Sequence, residues 1–129
     1  MKILLDTHIF LWWITDDSRL SADARGAISD SRNELYFSAA SGWEIAIKSR
    51  LGRILLPRKP DLFIAEQLGV NSIISLPIEM SHALHVHNLP SHHQDPFDRL
   101  IIAQAQLEKL VVLTADPQFK KYKITLVNS

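Results

Sequence analysis

Cysteine is missing from all 129 residues, and the 14 Lys and Arg are balanced by 14 Asp and Glu. The first absence excludes a disulfide scaffold, a thiolate zinc site and a cysteine nucleophile together, and it fits a reducing compartment. The second leaves a formal net charge of zero. That argues against a generally basic nucleic-acid coat, so any such binding must use a local patch. Long apolar runs are missing as well. The longest, Ile9 to Ile14, has six residues, against the roughly 20 that a spanning helix needs. Lys2 is followed only by Ile3-Leu4-Leu5 before Asp6 interrupts, too short for the apolar region of a signal peptide. The expectation is a cytoplasmic protein with no membrane contact. There is no internal repeat and no linker. A hydrophobic content of 47% with 22% charged residues suits one domain, 1–129, with a real core rather than a disordered chain.

Short strands alternate with helices along the chain. Lys2-Ile3-Leu4-Leu5 reads as a buried first strand ending at a carboxylate. Thr7 to Ile14 suits a helix, and Ser21 caps another. Leu35 to Ser38 has the aromatic content of a strand, and Ser41 to Leu51 reads as a helix stopped by Gly52. Pro60 to about Leu68 is helical and closed by Gly69; Ile73 to Leu76 is a strand halted by Pro77. Glu79 to His87 is helical, and Asn88 to Gln94 is a polar loop. A long helix opens at Asp95-Pro96 and ends near Lys109; strand Leu110–Thr114 follows, with Ile124 to Val127 as an edge strand. Strands spaced by helices of this length predict an α/β three-layer sandwich, with a largely parallel sheet and helices on both faces.

The chemistry lies in where the acids fall. Asp6 follows the first strand, Glu44 lies one turn into the helix after the second, Asp98 opens the long helix, and Asp116 follows Leu110–Thr114. In an open parallel sheet, ligands bind at the carboxyl ends of the strands. Each acid also has a structural reading. Ser41-Gly42-Trp43-Glu44 has the pattern of a capping box, and Glu44 and Lys48 make an i,i+4 pair. Asp95 and Asp116 precede prolines as N-caps do, while Asp98 sits where a helix dipole favours an anion and should keep it ionised. The coincidence of four acids at one end of one sheet favours the functional reading. Two unit charges about 5 Å apart repel by roughly 3 kcal/mol at an effective dielectric of 20. A cation is therefore required, and hard oxygen ligands match Mg²⁺ or Mn²⁺. Phosphodiester hydrolysis uses such a set directly.

Four segments carry a family resemblance: Leu4-Leu5-Asp6-Thr7-His8, Ser41-Gly42-Trp43-Glu44-Ile45, Asp95-Pro96-Phe97-Asp98-Arg99 running on to Ala105, and Leu113-Thr114-Ala115-Asp116-Pro117-Gln118-Phe119. In this order they resemble PIN-domain proteins, and among these the VapC-like toxins of bacterial type II toxin–antitoxin modules. The resemblance implies a PIN-like fold and Mg²⁺- or Mn²⁺-dependent endoribonuclease activity on RNA. It also implies a homodimer and inhibition by a cognate antitoxin protein. It places Asp6, Glu44, Asp98 and Asp116 at the family's acidic metal-binding positions, with Asp95 competing with Asp98 for the third. A non-catalytic RNA- or protein-binding module on the same fold is the alternative, against which four intact acids count. A haloacid-dehalogenase-type phosphatase needs a second aspartate where His8 stands, and a receiver domain needs an acidic pair at the first strand.

Smaller features remain. Lys48, Arg50, Arg53, Arg58 and Lys59 form either a phosphate-tracking edge for RNA or a solvated helix end. Thr7 holds a water or caps the first helix. Trp12 and Trp13 are adjacent and cannot share one helix face, so one of them is available to a partner. Among His82, His85, His87, His92 and His93, the pair His85-x-His87 lacks the spacing of two metal ligands on one helix face, and His92 and His93 are adjacent in a polar loop. These histidines read as surface residues, with His92 or His93 within reach of a substrate phosphate as the functional alternative.

Overall fold

The computed structural model describes residues 1–127, so the expected domain end at residue 129 lies outside the described residues. The elements are β1 (Lys2–Leu5), α1 (Thr7–Ile14), α2 (Ala22–Ser29), β2 (Glu34–Ser38), α3 (Ala39–Arg50), α4 (Pro60–Val70), β3 (Ile73–Leu76), α5 (Met80–His85), α6 (Pro96–Glu108) and β4 (Val111–Leu113), with 3₁₀ turns at Val86–Asn88 and Pro117–Lys121. The strands are all parallel, in the order β3-β2-β1-β4. Because side chains alternate along a strand, β1 serves both faces. Ile3 and Leu5 join Ile9, Phe10, Ile28, Phe37 and Ile45 on one side, and Leu4 joins Ile101, Ile102, Val112 and Phe119 on the other. Each such side chain, fully buried, contributes about 1.5–3 kcal/mol. The result is the expected three-layer sandwich. With β1 between β2 and β4, the chain reverses its winding direction there, which opens a crevice at the strand ends.

Helix ends explain where expected and observed bounds differ. At α3, Gly52 (φ 74°) closes a Schellman motif, with Arg53 N donating to Lys48 O and Gly52 N to Ser49 O. At α4 the helix runs through Gly69 to Val70, and Ser72 (φ 53°), not Gly69, takes the left-handed conformation. Ile124 to Val127 is not a full strand. It makes one parallel bridge, Val112 to Leu126, beside β4. His82 is no surface residue: it is 1% exposed, accepts from Glu79 N at Nδ1 (2.9 Å) and meets Glu108 Oε2 at 3.1 Å, which ties α5 to α6. No helix among the described residues is long and apolar enough to cross a membrane.

Candidate active site

Asp6 is the first residue after β1 and the N-cap of α1. Its Oδ1 accepts from Thr7 N (2.7 Å) and its Oδ2 from Thr114 Oγ1 (2.8 Å), leaving it 4% exposed. Thr114 Oγ1 in turn accepts from Asp116 N (3.0 Å). One hydroxyl thus links the acid after β1 to the acid after β4. Thr7 is not the cap. Its hydroxyl donates to Ser41 Oγ (2.8 Å) and ties α1 to α3.

Glu44 is freed by a change of cap. The helix begins at Ala39, two residues before Ser41, with Ser38 as N-cap accepting from Ala40 N (2.9 Å). Ser41 is therefore inside α3, and the capping-box expectation fails because the earlier serine, at the end of β2, takes the role. Glu44 is 3% exposed, and its Oε2 pairs with Lys48 Nζ at 2.5 Å, the i,i+4 contact expected from spacing. Its Oε1 is buried without a hydrogen-bond partner. A buried acceptor left so costs about 1–3 kcal/mol, and a cation in reach removes that penalty.

The start of α6 separates the two neighbouring aspartates. Asp95 is the N-cap, with Oδ1 accepting from Phe97 N (2.8 Å) and Asp98 N (3.4 Å). Asp98 lies half-buried in the first turn and faces the other acids. Burial, then Asp6, Asp95, Glu44 and Asp116, pushes its carboxyl up to about 8. The helix dipole does not keep Asp98 ionised, because desolvation and four neighbouring carboxyls outweigh it. Asp6 is raised as well, by burial, with Thr114, His8 and Thr7 opposing and Glu44 adding to the rise. Asp116 caps the 3₁₀ turn through Gln118 N (2.9 Å), and its Oδ2 lies 3.2 Å from His93 Nε2.

Among the described residues, ligand atoms of His93, Asp98 and Asp116 lie within 4.8 Å of one another. Asp6 and Glu44 stand outside that tight group, close enough to act on Asp98 electrostatically. The donor set is dominated by hard oxygens, and its like charges and orphaned Glu44 oxygen suit a hard divalent cation. Two contributors have no signal in the acid spacing. Thr114 is found only when β4 is placed beside β1. His93 is found only when the 86–93 loop is folded back, which Arg99 enforces by donating to the carbonyls of Val86, Leu89, Pro90 and His93.

A groove of about 630 Å³ runs from this site along α1, lined by Thr7, His8, Trp12, Glu44, Lys48 and Arg53 among others. The two tryptophans part as their spacing requires. Trp12 lines the groove under the Arg19 guanidinium (5.1 Å), while Trp13 turns to donate to Asn71 Oδ1 (2.9 Å). The basic run is divided: Lys48 neutralises Glu44, Arg58 pairs with Glu66, and Arg50, Arg53 and Lys59 are exposed.

Comparison with known proteins agrees with this fold. Ribonuclease VapC22 of Mycobacterium tuberculosis is 34% identical over 122 residues, which cover 94% of this chain and 92% of that protein. Ribonuclease VapC16 of the same organism is 35% identical over 71 residues, or 52% of this chain, and the match spans only half (50%) of that relative's length. Solved structures share the fold at low identity. The DNA-bound VapBC2 from Rickettsia felis superposes with a TM-score of 0.69 at 13% identity, covering 99% of this chain and 98% of that one. DNA-bound VapBC from Salmonella typhimurium gives 0.66 at 19%, covering 99% and 97%. The PIN domain family model matches residues 3–124, from β1 to the segment beside β4. Since that match takes in every strand and all four acids, the chain belongs to the PIN domain family.

Proposed function

We propose that this protein is a Mg²⁺- or Mn²⁺-dependent endoribonuclease, the toxin of a toxin–antitoxin module, acting in the cytoplasm. The observation that carries the reading is the strain among the acids. Glu44 Oε1 is buried without a partner, and Asp98 is pushed up to about 8 by burial and its neighbours. Such an arrangement is unfavourable alone and favourable around a divalent cation. Asp98 and Asp116 are the nearest pair to hold it, with Asp6 and Glu44 completing the negative surround. When bound, the ion supplies Lewis acidity at a phosphoryl oxygen and lowers the cost of activating water. Asp6 is fixed for its part by Thr7 N and Thr114 Oγ1, so it cannot swing away from the crevice. A cation held there would favour the ionised form of Asp98. Lys48 offsets one charge on Glu44. The ribonuclease names of the two relatives support RNA as substrate.

Metal removal tests this. Cleavage of RNA by the purified protein is expected with Mg²⁺ or Mn²⁺, lost in excess chelator and regained on adding the ion back. Growth arrest on expression is the more forgiving assay where the RNA target is unknown. Cleavage that continues undiminished in chelator rejects the metal mechanism. RNA binding without any cleavage in either metal favours a non-catalytic module instead.

Solved relatives include complexes named toxin–antitoxin and VapBC, which supports an antitoxin partner here. The groove beside Glu44 offers it an apolar floor and an acidic end, suited to a segment with apolar anchors and a basic tip. Trp12 is the aromatic anchor of that floor. Trp12→Ala is expected to weaken binding of the antitoxin about 30-fold, the scale of an aromatic hot spot worth about 2 kcal/mol, with RNA cleavage retained. Unchanged affinity in titration calorimetry would assign the groove another role. A homodimer is supported by Trp43 (58% exposed), Ile47 and Leu51, which form an exposed apolar stripe along α3.

A further inference from the structure

His93 is held more firmly than a loop histidine needs to be. Its side chain is 7% exposed, stacked on Tyr122 (5.5 Å between centroids, 17° between planes) and set edge-on to Phe119 (5.2 Å, 71°). Its backbone N–H donates to Tyr122 Oη (2.8 Å), and its carbonyl accepts from Arg99 (3.4 Å). These contacts fix the plane of the ring, and in that plane Nε2 faces Asp116 Oδ2 (3.2 Å).

Two roles fit this placement. Nε2 could share a cation with Asp98 and Asp116, since the three ligand atoms lie within 4.8 Å, or it could carry a proton and donate it to Asp116. The other ring nitrogen decides between them. His93 Nδ1 is buried and has no hydrogen-bond partner. Ligation through Nε2 forces the proton onto Nδ1, where it meets no acceptor, and a buried donor left so is penalised. Metal-bound imidazoles regularly donate their second N–H to a carboxylate, carbonyl or water, and Nδ1 has none of these. A proton on Nε2 reverses the account: the donor meets a carboxylate, and only an acceptor lone pair is left unmatched.

We infer that His93 is a positioning residue, which holds the Asp116 carboxylate by donating from Nε2 and does not itself bind the cation. With Gln118 N on Oδ1 and His93 on Oδ2, Asp116 is oriented through both oxygens, the usual support of a ligating carboxylate. Arg99 enters the same chain of contacts, because its hold on four carbonyls fixes the loop that carries His93. The inference rests on the metal reading above.

The test combines two measurements on the full-length protein. Long-range ¹H–¹⁵N spectra, with His93 assigned by its loss in His93→Gln, report which nitrogen carries the proton without and with Mg²⁺. Calorimetric titration with Mn²⁺ compares the parent with His93→Gln, which keeps an N–H donor of similar reach, and His93→Phe, which keeps only the stacking. The expected result is a proton on Nε2 in both metal states. Mn²⁺ affinity should fall within about threefold for Gln and by about tenfold or more for Phe, the range of outer-shell substitutions. A proton that moves to Nδ1 when Mg²⁺ binds overturns the inference in favour of direct ligation. So does a Gln variant as weak as Phe, since the imidazole is then required, and so does a Phe variant with parental affinity. If the Phe variant does not fold, the tautomer of the parent still decides. A parent that binds no Mn²⁺ rejects the metal reading itself, and this inference with it, whereas a parent that binds Mn²⁺ with the proton on Nδ1 rejects the inference alone.

Discussion

Asp98→Asn should abolish RNA cleavage and yet make the metal-free protein more stable. The loss follows from removing a charge that the cation needs, and several kcal/mol of electrostatic stabilisation is about two orders of magnitude or more in rate. The gain follows from the raised carboxyl. Folded Asp98 titrates near about 8, against 3.8 for the ordinary group. Below about pH 4 both folded and unfolded forms are protonated, and the substitution changes little. Between about 4 and 8 the unfolded chain has given up the proton that the folded chain still holds, so parental stability declines as pH rises. Above about 8 the full penalty is present. Asparagine carries none of it, so the variant's advantage should grow from about pH 4 to about pH 8 and then level off. Solvent reaches a half-buried carboxyl, which discounts the advantage to roughly 1–3 kcal/mol. Added Mn²⁺ should offset the advantage by stabilising the parent alone, about 2.7 kcal/mol at a hundredfold excess over Kd. Denaturant melts at about pH 5 and about pH 9, with and without metal, measure all of this. A variant no more stable than the parent at the higher pH refutes the repulsion. Asp95 is the internal control. Asp95→Asn keeps the cap on Phe97 N and most of the activity, while Asp95→Ala costs about 1 kcal/mol of stability. A dead Asp95→Asn beside an active Asp98→Asn would exchange their roles.

What could be read from the chain, and what could not, divides by range of interaction. β1, α1 and β3 have the expected bounds because each apolar run meets a local stop: Asp6 after Leu5, Thr15 after Ile14, Pro77 after Leu76. Asp6 and Asp116 were legible for the same reason, since an acid just past a strand is a one-dimensional pattern. Ser41 misled because two serines three residues apart can each cap a helix, and α3 follows β2 directly, so that Ser38 takes the role. Ile124 to Val127 has the composition of a strand, yet it makes a single bridge to β4. The contacts of the supporting donors were out of reach. Thr114 meets Asp6 because Leu5 pairs with Leu113 across two strands far apart in sequence. His93 meets Asp116 only after Arg99 has folded its loop. Asp98's raised carboxyl likewise depends on its burial and on four other acids, none of which the spacing contains.

Asp6→Asn should be as inactive as Asp98→Asn, but for a different reason. Asp6 is fixed at both oxygens, by Thr7 N on Oδ1 and Thr114 Oγ1 on Oδ2. Asparagine keeps an oxygen for Thr7 N and caps a helix about as well as aspartate, so α1 is not at risk. Its amide group, however, faces Thr114 as a donor where the carboxylate was an acceptor. The hydroxyl must then turn its own proton away from position 6 while still accepting from Asp116 N (3.0 Å), and a hydroxyl has two lone pairs with which to do so. The rearrangement costs a modest amount, and it is offset because burial already holds the parental Asp6 carboxyl above its ordinary range. Near-parental stability is therefore expected. Activity has no such compensation. The variant removes a fixed charge from the cation's surround and tugs on the hydroxyl that supports Asp116 N. Cleavage should fall by about two orders of magnitude or more, and Mn²⁺ affinity with it. Thr114→Val separates the two causes, since it deletes the shared hydroxyl and leaves both charges. An intermediate loss in Thr114→Val attributes the remainder to the charge of Asp6. If Asp6→Asn arrests growth as strongly as the parent, the reacting centre is not at the end of β1.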